Sequence, residues 1–172
     1  GASQRMVGAV SGLETAAVLL PQLLGVYLFA SRRGRKRAVI VWHVVFMLPF
    51  LLVMGLLTFR ADRMDPALYR WAMMACWVGY NATIGMVGAA WVDFIAHLFS
   101  PSSRGTVMGL AHFGASLAGA GAGLLAGRLI RVYPAPQVFA WLYVASWGVA
   151  TLSMALWMPV DDRNLRTGEE LA

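Results

Sequence analysis

The sequence predicts an all-α membrane protein, a polytopic bundle of five transmembrane helices. Three observations favour this fold class. The 172 residues are 59% hydrophobic and only 13% charged, whereas soluble domains carry roughly twice that charged fraction. Five apolar segments are each long enough to cross a bilayer core about 30 Å thick. A basic block from Arg32 to Arg37 separates the first two segments, and so dense a charge cannot enter lipid.

The five predicted spans follow one another with short connectors. They cover about residues 6–30, 38–58, 71–98, 106–130 and 138–158. The connectors between them are richer in Arg, Asp, Pro and Ser, as connectors usually are. Residues 1–158 therefore form the transmembrane domain, and residues 159–172 form a cytoplasmic tail or the start of a longer loop.

Strands and soluble helices explain the same segments less well. The apolar runs are too long for strands and lack two-residue alternation. Five successive soluble helices would need polar faces, which these segments do not show.

The basic residues predict the orientation of the bundle. Cytoplasmic loops carry an excess of Lys and Arg, so we expect residues 31–37 to be cytoplasmic, together with Arg104 and the C-terminal tail. Residues 59–70 and 131–137 then lie outside, although the first of these also carries three arginines. The N-terminus would lie outside, and a further span before Gly1 would explain that position.

Four polar residues within the predicted spans are candidates for a substrate cavity: Glu14, Gln22, Asn81 and His112. A charged group at mid-bilayer costs about 2.5–3.5 kcal/mol on insertion scales, so it usually faces a cavity or a partner. Glu14 shares a helix face with Pro21, Gln22 and Gly25. Its alternative role is to reach the headgroups from near the end of the span.

Asp93 and His97 lie one turn apart near the end of the third span and can meet on one side of it. A structural pair that holds Arg104 or a neighbouring span is the favoured interpretation, and a proton relay is the alternative. His43 stands alone in an apolar run, where a hydrogen-bonded packing histidine is the expected role.

Small residues recur at steps of three or four along the fourth span and form a stripe. The stripe consists of Gly105, Gly109, His112, Ser116, Gly119, Gly123 and Gly127. Repeated small residues at this spacing let two helix backbones approach closely in lipid. We therefore predict helix packing through Gly109, Gly119, Gly123 and Gly127, with His112 either bonded across helices or facing a cavity.

Other functional classes find little support in the sequence. No esterase, zinc protease or phosphate-loop motif is present, and the three histidines fall on three different spans, so neither an enzyme nor a metal or cofactor site is predicted. The basic residues are not interleaved with aromatic residues as in nucleic-acid binding. Cys76 is the only cysteine, which excludes an internal disulfide.

Two segments carry a resemblance to a known family. The run from Leu28 to Arg37 resembles the Gly-x-x-x-Asp-Arg-x-Gly-Arg-Lys loop after the second helix of major facilitator superfamily transporters. Arg32, Gly34, Arg35 and Lys36 match it, whereas Ser31 replaces the acidic residue and Tyr27 the first glycine.

The second segment, from Pro101 through Arg104 and Gly105, is similar to that family's Pro-x-x-x-Arg-Gly loop between helices four and five, one residue shorter. Asn81 stands where the family often has an arginine.

This resemblance implies that the five spans are helices two to six of the N-terminal half of such a transporter. It implies a secondary transporter of a small solute, coupled to a proton or cation, in the bacterial inner membrane. The first helix and the C-terminal half would belong to the same protein. Arg32, Gly34, Arg35, Lys36, Asp93, His97, Pro101, Arg104 and Gly105 would form the cytoplasmic gate and loop motif.

Two other functions stay open at this point. The first is a complete five-span subunit that anchors or assembles with other membrane proteins. The second, less favoured, is an intramembrane enzyme that uses Asp93 and His97.

Overall fold

A computed structural model describes residues 4–29 and 35–160, and every regular element in these two ranges is helical. The all-α prediction is therefore confirmed. There are six α-helices: α1 (Gln4–Phe29), α2 (Arg35–Trp42), α3 (Leu48–Phe59), α4 (Pro66–Leu98), α5 (Pro101–Val132) and α6 (Gln137–Trp157). A π-helix at His43–Met47 joins α2 to α3, so the second predicted span is one rod with a widened turn in its middle.

Four helical segments are long and apolar enough to cross a membrane, which indicates a membrane protein. They are Ser11–Phe29, Lys36–Phe59, Pro101–Val132 and Gln137–Trp157. The predicted third span lies in α4, which has 33 residues but is not among the four. Its several Gly, Trp and Tyr residues and Asn81 lower its average hydropathy. The predicted number of five membrane spans is therefore not confirmed.

The ends of the helices follow from local sequence signals. Proline is the first residue of both α4 and α5, where its missing N–H is not needed. Asp65 caps α4, because its Oδ1 accepts hydrogen bonds from the amides of Ala67 and Leu68, both at 2.9 Å. A short 3-10 turn, Ala61–Arg63, reverses the chain between α3 and α4.

The bundle is built around two interfaces, one between α1 and α4 and one between α3 and α6. Phe29, Val39, Val87 and Ala90 form a buried cluster that joins α1, α2 and α4. A second buried cluster lies on the π-helix and α3, at Met47, Leu48, Leu51 and Met54, and residues of α4 and α6 pack against it. Both clusters are apolar, as expected where lipid surrounds the outer faces.

Helix α5 stands apart from this bundle. It makes a small contact with α6, and none of its described residues is buried. Every residue from 111 to 125 is exposed. An apolar helix of this length would be surrounded by lipid or by helices that lie outside the described residues.

Candidate functional site

The α1–α4 interface is a contact between two helix backbones. A Cβ built on Gly85 would overlap the carbonyl oxygen of Val18, and one built on Gly25 would overlap the backbone of Met86. Only glycine permits so close an approach. Val18 lies opposite Gly85, and further along the chain Phe29 clusters with Val87 and Ala90. Because the contacts advance together along both helices, α1 and α4 run in the same direction.

Three of the four predicted cavity residues lie on this helix pair. Glu14 and Gln22 are half-buried on α1, and Asn81 on α4 is only 5% exposed. Glu14 precedes Val18 by four residues, and Asn81 precedes Gly85 by four. Each of them therefore lies one turn before the point where Val18 and Gly85 meet.

The local bonding of Asn81 leaves part of its amide for another partner. Its Nδ2 donates to the carbonyl oxygen of Trp77, one turn earlier, at 2.9 Å. An amide carries two N–H donors and an acceptor oxygen, so this single bond does not use its full capacity. A buried amide beside a carboxyl-bearing helix can bind a polar solute or a cation.

The fourth cavity candidate is separate from these residues. His112 lies on α5, and its side chain is exposed. The structure therefore does not bring it into the α1–α4 interface, and its predicted place in a cavity stays a prediction.

Lys36 connects the basic loop to the far end of the chain. Its Nζ donates to the carbonyl oxygen of Met158 at 2.8 Å and also to that of Val160. These carbonyls lie just beyond the last residue of α6, Trp157. A helix leaves its final carbonyls without partners inside the helix, and a basic side chain there is favoured by the helix dipole. The ammonium group of Lys36 thus caps α6.

The other predicted gate residues are described to different extents. Pro101 begins α5 and is exposed, Arg104 is half-buried, and Gly105 is exposed. The helical backbone is described at Arg35, Asp93 and His97, but their side chains are outside what the structure describes. Arg32 and Gly34 lie outside the described residues altogether. The Asp93–His97 pair therefore stays a prediction.

The glycine stripe of α5 faces open space within the described part of the chain. A Cβ built on Gly109, Gly119, Gly123 or Gly127 would meet no atom within 4 Å. The predicted close packing thus has no counterpart among residues 4–29 and 35–160. The close approach that does occur uses Gly25 and Gly85, on different helices.

The sequence did not reveal a contact that joins the π-helix region to α4. Trp42 Nε1 donates to the carbonyl oxygen of Thr83 at 3.1 Å, and the Trp42 ring packs edge-on against Phe29. Nδ1 of His43 lies 2.8 Å from the carbonyl oxygen of Val39, which agrees with a packing role. A π-helix often marks a functional position, but no local sequence signal indicated one here.

A cavity of about 410 Å³ lies between α3, α4 and α6. The sequence analysis did not predict it. Its lining is rich in methionine and aromatic side chains and includes Met54, Tyr69, Arg70, Met73, Trp77 and Tyr143. These residues belong to three helices, so no sequence spacing could bring them together. Within the ranges 4–29 and 35–160, no group of three His, Cys, Asp or Glu residues is arranged to hold a metal ion.

Three comparisons of this chain with known proteins found no match. No family model matches the chain, and no curated protein and no solved structure matches it either.

Proposed function

We propose that this chain belongs to a secondary active transporter that moves a small solute by alternating access. The observation that carries the proposal is that the half-buried Glu14 and the buried Asn81 each lie one turn before a close contact of α1 with α4. Asn81 lies near the middle of α4, which has 33 residues. Secondary transporters bind substrate and coupling ion near the bilayer midplane.

The proposal gives each polar residue a part that fits its chemistry. The carboxyl group of Glu14 binds the coupling proton or cation, and the amides of Gln22 and Asn81 hold the solute by hydrogen bonds. Ionisable groups at this depth are costly unless they face a cavity or a partner, and the half-buried position of Glu14 is compatible with a cavity wall.

The fold type we propose is the N-terminal half of a major facilitator superfamily transporter, in which α4 also crosses the membrane as the third of five spans. Two features support it. Arg35, the first residue of α2, and Pro101, the first residue of α5, fall at the same end of the bundle, because two helical rods separate them. The other helices of such a transporter, its first helix and its C-terminal half, would cover the exposed helix α5.

In this proposal the inner gate forms at the end where Lys36 caps α6. To this gate we assign Arg32, Gly34, Arg35, Pro101, Arg104 and Gly105, together with Asp93 and His97. The hydrogen bonds from Lys36 join the second and last rods there, so the two can move as one body when the inner side opens.

Transport by variants of the full protein tests the cavity role. In proteoliposomes with a pH gradient, uptake should be measured across a panel of labelled sugars, amino acids and organic cations. Glu14→Gln and Asn81→Ala should each lower uptake of the transported solute at least about tenfold, the loss expected when a polar site loses a binding group. Thr15→Val, on the exposed side of α1, is the matched control. Normal uptake by both cavity variants would contradict the proposal.

Labelling tests the proposed orientation in the bacterial inner membrane. Cys76 is the only cysteine, so single-cysteine variants can be made on a Cys76→Ser background. Asp62→Cys should react with a membrane-impermeant maleimide in intact spheroplasts, and Arg37→Cys should react only after lysis. Both side chains are exposed. The reverse pattern would place residues 31–37 outside the cytoplasm.

The exposure of α5 favours one alternative, an anchoring or assembly subunit without transport. Its long uncovered face would then bind other membrane proteins. Absence of uptake in every condition, together with co-purification of a partner that is lost on Gly119→Leu, would support this alternative.

A further inference from the structure

The cavity between α3, α4 and α6 has an apolar floor. Met54 is fully buried there, and Met73, Met74 and Trp77 are half-buried. Methionine side chains are flexible and polarisable, so they adapt to an irregular apolar ligand. A volume of about 410 Å³ suits a segment of hydrocarbon chain.

The rim of this cavity carries a single cation. Arg70 lines the cavity and is exposed. Among residues 4–29 and 35–160 it has no ion-pair partner. Asp65 is the carboxylate nearest to Arg70 in the sequence, and its Oδ1 accepts hydrogen bonds from the amides of Ala67 and Leu68 at the start of α4. The guanidinium group is therefore available to an anion that approaches from the surroundings.

The residues around the rim are of the kinds that favour a membrane interface. Arg70 is the fifth residue of α4, next to Tyr69 and the exposed Trp71, and Tyr and Trp favour the membrane interface. Tyr69 is held in place, since its hydroxyl lies 3.3 Å from Oγ1 of Thr58. Met73, Met74 and Trp77 follow within about two turns further along α4.

We propose that this cavity binds a phospholipid, with the phosphate paired to Arg70 and an acyl chain over Met73, Met74 and Trp77. The polar group at the surface and the apolar floor below it have the same order as a phospholipid in a bilayer leaflet. Arginine pairs with phosphate through two parallel N–H donors. The site does not include Glu14 or Asn81 and does not depend on the proposed transport activity.

Photo-crosslinking with a phosphatidylglycerol that carries a diazirine in its acyl chain tests the proposal. The purified chain in detergent micelles is irradiated at sub-saturating lipid, and labelled peptides are identified by mass spectrometry. We expect labels on the peptide that contains Met73, Met74 and Trp77. Arg70→Gln should weaken this labelling about fivefold, the effect of about 1 kcal/mol for one basic residue at a membrane surface.

Matched variants keep the result interpretable. Arg128→Gln removes an exposed arginine of α5 that is outside the cavity, and it should leave the labelling unchanged. Arg70→Lys keeps the charge and should retain most of the labelling, which separates loss of charge from misfolding. Glycerol phosphate, the headgroup without acyl chains, should not compete.

Four results would overturn the proposal. They are labelling spread evenly over α5, no loss in Arg70→Gln, an equal loss in Arg128→Gln, or displacement of the lipid by glycerol phosphate at the same concentration. The last result would indicate a site for a soluble phosphate compound.

Discussion

Replacing Gly85 with alanine should weaken the bundle at the α1–α4 interface. The added Cβ would overlap the carbonyl oxygen of Val18. That oxygen belongs to the backbone and cannot rotate away as a side chain could. Real Cβ atoms essentially never lie within 3.0 Å of such an atom, so the two helices must move apart.

The magnitude follows from two opposing effects. Alanine is favoured over glycine in a helix by about 0.8–1.0 kcal/mol. Overpacking of a tight contact costs about 1–3 kcal/mol, and a gap of 0.5–1 Å loses a quarter to a half of each dispersion contact. The α1–α4 contact is the most extensive between helices, so we take the upper part of that range. The free energy of unfolding should fall by about 2 kcal/mol.

An SDS titration of the chain in mild detergent, followed by circular dichroism and Trp fluorescence, measures this change. Gly121→Ala is the matched control, because its Cβ would meet no atom within 4 Å. The control should be unchanged or more stable by up to about 1 kcal/mol. Equal unfolding midpoints for the two variants would refute the close backbone contact between α1 and α4.

Two further predictions concern the ends of helices. Lys36→Met should remove the cap on α6 and speed amide hydrogen exchange in its last turn about fivefold, a loss of about 1 kcal/mol. Arg37→Met, at an exposed neighbour, should not do so, and a shared effect would argue against the cap. Asp65→Ala should remove the N-cap of α4 and lower stability by about 1 kcal/mol, whereas Asp62→Ala should have little effect. A thermal melt compares the two variants, and equal melting temperatures would contradict the capping role.

The helices themselves could be predicted from the sequence, because each is a long apolar run between polar connectors. Each of the five predicted spans falls on a helical rod. For example, the predicted span 138–158 corresponds to α6, Gln137–Trp157. The Asp65-Pro66 pair also marks the start of α4 in the sequence, since it combines an N-cap with a first-turn proline.

The packing of these helices could not be predicted, because a helix that is apolar on all sides shows no preferred face. Gly25 and Gly85 mark the close contact, but they are single glycines among eighteen in the chain. The sequence analysis instead predicted close helix packing at the regular glycine stripe of α5. The π-helix at His43–Met47 depends on tertiary contacts such as Trp42 to Thr83, which no local pattern encodes.

The candidate site was predictable only as separate residues. Polar side chains in apolar runs identified Glu14, Gln22 and Asn81, because such residues are costly in lipid. Their placement on the two closely packed helices α1 and α4 required the structure. The methionine-rich cavity was missed because each of its residues is ordinary in its own helix.

The cap formed by Lys36 also has a consequence for biosynthesis. Its partner carbonyl on Met158 is 122 residues further along the chain. At a synthesis rate of about 5–20 residues per second, roughly 6–24 s pass before the ribosome has made that partner. Lys36 is therefore made long before the carbonyl that it binds, and the cap can form only after the last helix has been made. The bond then ties the start of the second rod to the end of the last one.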